Sequence, residues 1–95
     1  MEVKEFQKRI VKFVQSWDKK RSFTANEQSA FTHLVEEVGE LARQYVNKEQ
    51  RKDQYSQEEV DDAIGDILMQ IVRLGDLRGL DIEEVVKKII KEEQP

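Results

Sequence analysis

Acidic side chains gather in two short stretches of this chain: Glu37 and Glu40 within "VEEVGEL" (Val35 to Leu41), and Glu59, Asp62 and Asp66 in and around "DDAIGDI" (Asp61 to Ile67). On an α-helix a spacing of three puts two side chains about 60° apart, so Glu37 and Glu40 share one flank, with His33 and Gln44 a turn away on either side. The second stretch presents the matching row Glu59, Ala63, Asp66, Gln70, and Asp62 lies one turn before Asp66. Both rows border apolar residues instead of opposing them. Carboxylates brought side by side repel unless a cation neutralises them, and an all-oxygen donor set suits a hard cation such as Mg²⁺ or Mn²⁺. The spacing therefore predicts a metal site between two helices.

The elements that must position these rows are all helical. Val3, Phe6, Ile10, Phe13, Val14 and Trp17 recur at intervals of three and four and predict a helix over about residues 2–19. "TANE" fits a capping box, Thr24 with Glu27, and predicts a second helix after Thr24 with the stripe Phe31, Leu34, Val35, Val38, Leu41, Ala42, Tyr45. The polar "NKEQRKDQY" interrupts that periodicity. "SQEE" supplies a second box at Ser56 and Glu59, opening a helix with the stripe Val60, Ile64, Ile67, Leu68, Ile71, Leu74 that closes near Arg78 before Gly79. Asp81 caps a last helix carrying Ile82, Val85, Val86, Ile89 and Ile90. No stretch alternates with period two, so the expected fold is all-α, an antiparallel four-helix bundle. Gly39 and Gly65 each weaken a helix by about 1 kcal/mol relative to alanine, which a close helix crossing would offset. Val72 and Met69, off the main stripe, suggest surface covered by a second subunit.

With 95 residues the chain suits one domain over residues 1–95, and a domain of this size gains from a partner subunit. Twenty acidic against 16 basic residues give a net charge of −4, which argues against nucleic-acid binding; "DKKRSF" and "NKEQRK" are the only basic patches and read as solvated loops. No cysteine is present, which excludes a disulfide framework and thiolate metal sites. No apolar run is long enough for a membrane span and no secretory leader pattern opens the chain, so a soluble cytoplasmic protein is expected.

"LVEEVGELAR", followed after a polar loop by "DDAIGDILMQIVRLGDLRGLDIEEVVKK", resembles the MazG-like all-α nucleoside triphosphate pyrophosphohydrolases, whose signature is E-x-x-E on one helix and E-x-x-D on the next. The resemblance covers roughly residues 31–90. It implies a helical bundle completed by oligomerisation, as a homodimer or dimer of dimers. It also implies a Mg²⁺ cofactor and hydrolysis of a nucleoside triphosphate to the monophosphate and pyrophosphate. Carried over by position, Glu37, Glu40 and Asp66 are metal ligands. The second glutamate of the signature falls on Ala63, which cannot ligate, so the fourth ligand is expected from Asp62, or from Glu59 through a water.

Other residues have roles open to them around such a site. Glu36 can orient water, His33 can contact substrate or carry a proton, Lys20 and Arg21 can meet phosphates, and Trp17 can stack on a nucleobase. An alternative from another class is a catalytically silent oligomer that uses the same scaffold for interaction, which the loss at Ala63 favours.

Overall fold

The computed structural model describes residues 2–95, and among them the regular structure is entirely helical. The helices are α1 (Val3–Lys20), α2 (Glu27–Gln50), α3 (Gln57–Leu77) and α4 (Ile82–Glu92), with a 3-10 turn at Lys52–Gln54. Three of the four helix starts carry side-chain caps. Ser56 Oγ accepts from Glu59 N at 3.2 Å, and Asp81 Oδ1 accepts from Glu84 N at 3.2 Å, as their positions predict.

The start of α2 differs from the sequence expectation. Its cap is Asn26, whose Oδ1 accepts from Ser29 N at 2.8 Å while Asn26 N donates back to Ser29 Oγ at 3.0 Å. Thr24 lies two residues before that cap and does not form the expected box with Glu27. Asparagine is at least as good an N-cap as threonine, and a serine three positions on closes the reciprocal pair. The far end of α2 also runs beyond the apolar stripe, through "NKEQ" to Gln50. Lysine, glutamate and glutamine are good helix formers, and the buried Asn47 ties this turn down, its Nδ2 donating to Gln54 O at 3.4 Å.

Packing centres on α3. It lies antiparallel to α2, because Gln44 late in α2 bonds Glu59 early in α3. On its other side it meets α1, where Ile10 and Val14 bury Val72, with Val11, Met69 and Ile82 packed around them. The α1–α3 pair is closed at one end by Arg73, paired with Asp18, and at the other by Gln7. Gln7 Nε2 donates to Leu80 O at 3.1 Å and its Oε1 accepts from Ile82 N at 3.2 Å, clasping the α3–α4 turn. Gly79, at φ +70°, makes that turn in the left-handed region where glycine is unstrained.

Two packing expectations are corrected. Val72 is buried against α1 of the same chain, whereas Met69 packs only partly against that cluster and lines an open apolar groove with Phe6 and Phe13. The apolar stripes of α2 and α3 do not close on each other: Phe31, Val35, Val38 and Tyr45 stay exposed, as do Ile64, Leu68 and Ile71. The helices meet instead along Ala30, Gln44 and Asn47 of α2 and Val60, Ala63 and Gln70 of α3, all buried. Gly39 and Gly65 have no heavy atom within 4 Å of where a Cβ would stand, so within one chain no close crossing requires them.

The single chain is open. Its radius of gyration is 15.7 Å, against about 12 Å for a compact chain of this length. Its accessible surface is 7611 Å², against about 5,700 Å² for a folded monomer of this mass.

Candidate active site

The antiparallel register of α2 and α3 determines which polar groups meet. Gln44 is buried and both ends of its amide are engaged: Oε1 accepts from Ser56 N at 2.9 Å and Nε2 donates to Glu59 Oε2 at 2.6 Å. The Ser56 N–H therefore orients the amide, and the Glu59 side chain turns to Gln44 instead of closing the expected box with Ser56. Moving one helical turn at a time from this contact, Glu40 comes to face Ala63, Glu37 comes to face Asp66, and His33 comes to face Gln70.

Two clefts flank this seam. The outer cleft, about 320 Å³, is lined by Glu40, Arg43, Glu59, Asp62, Ala63 and Asp66. The inner cleft, about 200 Å³, runs between α1 and the seam and is lined by Trp17, Arg21, His33, Glu37, Gln70 and Arg73 among others, with Asp66 on its border too. Asp66 is shared, so the two clefts adjoin at that carboxylate.

Glu37 is the most perturbed group. Its side chain is only 13% exposed; Oε1 lies 3.1 Å from His33 Nε2, whereas Oε2 is buried without a hydrogen-bond partner. Burial pushes its pKa up from the ordinary carboxylate range, the negative charges of Glu40 and Asp66 add to the rise, and His33 acts against it. A buried carboxylate oxygen with no donor, facing two further carboxylates, is chemically matched to a hard cation. Glu37, Glu40 and Asp66 therefore fit a divalent ion by donor type and by mutual repulsion. Among the described residues, however, no three acidic or imidazole side chains are drawn together closely enough to hold one.

The family model for the MazG nucleotide pyrophosphohydrolase domain matches residues 25–93. The chain belongs to that family. The MazG match takes in α2, α3 and α4 and so includes both acidic rows, while α1, with Trp17 and Lys20, and Arg21 just after it precede the match. No curated protein and no solved structure matches the chain significantly.

The remaining expected residues of this MazG domain fall as follows. Asp62 and Glu59 both line the outer cleft beside Glu40 and Asp66. Trp17 is not core; at 41% exposure it walls the inner cleft, and its ring is covered by Lys20 Nζ and the Arg21 guanidinium, 5.0 and 4.9 Å from the centroid. Glu36 is exposed and lines neither cleft. Sequence reasoning missed Arg43, Asp18 and Arg73 at these clefts. The Asp18–Arg73 pair joins residues far apart in the chain and carries no periodic signal, whereas Arg43 stands one position before Gln44 and was legible as a neighbour of the acidic row.

Proposed function

We propose that the protein is a Mg²⁺-dependent nucleoside triphosphate pyrophosphohydrolase that converts an NTP or dNTP and water to the nucleoside monophosphate and pyrophosphate, with Mn²⁺ as an alternative metal. The observation that carries this reading is the buried, unpartnered Oε2 of Glu37 set against Glu40 and Asp66 on the two helices that the family match covers. Glu37, Glu40 and Asp66 would hold the ion, with Asp62 or Glu59 completing its donors from the same outer cleft. When bound, the ion neutralises phosphate charge and lowers the pKa of water. His33 holds Glu37 in place through its Nε2 contact. Trp17 and Arg21 give the inner cleft an aromatic and cationic wall for the nucleotide, with Lys20 against the Trp17 ring. Glu36 would reach an attacking water only from the solvent side.

The assembly is read as a homodimer or dimer of dimers. The exposed apolar faces of α2, α3 and α4, and a surface roughly 1,900 Å² larger than that of a compact monomer, match what a second copy would cover. Gly39 and Gly65 lie on that open side, where a partner helix rather than one of the same chain would use the missing Cβ. We place the protein in the cytoplasm as one MazG-like domain over residues 1–95, with no nucleic-acid partner; among the described residues no helix is long and apolar enough to cross a membrane.

A second reading, a catalytically silent oligomer, is favoured by one observation: the position facing Glu40 is Ala63, 6% exposed, where the signature calls for a carboxylate. Pyrophosphate release across a panel of nucleotides with Mg²⁺ or Mn²⁺ separates the two. Release from at least one nucleotide is expected. Folded, oligomeric protein that releases none would establish the silent module.

A further inference from the structure

Two further unsatisfied groups, Gln70 Oε1 and Arg73 Nε, belong to residues of the inner cleft and are not explained by the metal. Gln70 is 8% exposed, its Oε1 is buried without a hydrogen-bond partner, and its side chain lines the cleft opposite α1. Burying an amide oxygen with nothing donating to it is unfavourable, and a methionine of similar length would avoid that penalty. Gln44, one face of the same seam away, shows what a structural glutamine does here: both of its amide ends are bonded. Gln70 is instead left with its acceptor buried and unbonded beside a space bounded by Trp17 and by Arg73, which pairs with Asp18 through Nη2 and leaves its own Nε without a partner. The cleft reaches the carboxylate cluster at Glu37 and Asp66.

We propose that Gln70 reads the base of the nucleotide, its amide pairing with a base edge that offers an N–H beside an acceptor. This rests on the pyrophosphohydrolase reading, with the phosphates at the carboxylates and the nucleoside in the inner cleft. An amide can make two parallel hydrogen bonds to such an edge, as glutamine does with adenine. A site built around a hydrogen bond discriminates strongly against a ligand that leaves it unmade. Trp17 contributes flat area and Gln70 contributes the choice between bases.

The test compares wild type, Gln70→Met and Gln70→Glu in kcat/KM over a panel of NTPs and dNTPs, with calorimetric binding of the nucleoside monophosphates in parallel. Gln70→Met should keep or raise Tm, since no bond within the protein is lost. It should lower kcat/KM for the preferred base about 5- to 100-fold, mainly through KM, and compress the spread between bases. Gln70→Glu, which keeps the acceptor and removes the donor, should reorder the bases. A loss that is uniform over all bases, an unchanged ranking in both variants, or a sharp drop in Tm for Gln70→Met would overturn the assignment. If wild type released no pyrophosphate, the reaction would be wrong. Base-dependent monophosphate affinity abolished by Gln70→Met would then still support Gln70, and base-independent affinity would overturn it.

Discussion

Gln44 and Glu59 face each other across α2 and α3, amide nitrogen 2.6 Å from carboxylate oxygen, and this contact indexes the whole candidate site. Successive turns away from it pair Glu40 with Ala63, Glu37 with Asp66 and His33 with Gln70. The first of these pairs lines the outer cleft, and the last lines the inner one. A slip of either helix by one turn would place Ala63 opposite Glu37 or Gln44 and disperse the carboxylates.

Glu37 links metal, pH and stability. Its folded pKa is raised, so the folded state binds the proton more tightly than the unfolded chain does. The metal-free protein therefore loses the stability this group contributes as pH climbs from the unfolded carboxylate value through the raised folded one. Glu37→Gln mimics the protonated form. Its Tm minus that of wild type should increase over that pH window without metal, and Mg²⁺ should raise the Tm of wild type but not of the variant. A difference that stays flat with pH would contradict the repulsion.

The gap at Ala63 has a measurable consequence. Ala63→Glu sets a carboxylate opposite Glu40, so it should lower metal-free Tm and enlarge the rise produced by millimolar Mg²⁺ or Mn²⁺. Asp62→Ala should shrink that rise if Asp62 serves as the fourth donor; a rise that only Glu59→Gln abolishes assigns the role to Glu59. Thermal melts with and without metal read all three.

Asp18→Ala would leave the Arg73 guanidinium, 11% exposed, without its partner, and should destabilise the fold by about 3 kcal/mol. The double variant Asp18→Ala, Arg73→Met should recover part of that loss. Urea unfolding of the four members of the cycle measures it, and strictly additive effects would mean the pair is uncoupled.

Exposed Leu68 and Val38 should be interface residues. Leu68→Asp or Val38→Asp should reduce the light-scattering mass to that of one chain and lower Tm by several degrees. A wild-type monomer at micromolar concentration would remove the need for a partner.

The helices, most of their caps and the two acidic rows were determined by the sequence alone. Periodicity of three and four sets an amphipathic helix whatever it packs against, and a serine or aspartate cap acts on its own first turn. Even the missed cap was local, since Asn26 and Ser29 are as near in the chain as Thr24 and Glu27. Tertiary structure decided which face of each helix turned inward. The apolar stripes predicted a core, yet within one chain α2 and α3 meet along Ala30, Gln44, Ala63 and Gln70, leaving Val38 and Leu68 in solvent. Periodicity marks a face that must be covered but does not say by which chain. The Asp18–Arg73 pair, the Gln44–Glu59 contact and the unpartnered Glu37 and Gln70 oxygens depend on helix register across the fold. Register follows from packing summed over whole helices, and no short stretch of sequence contains it.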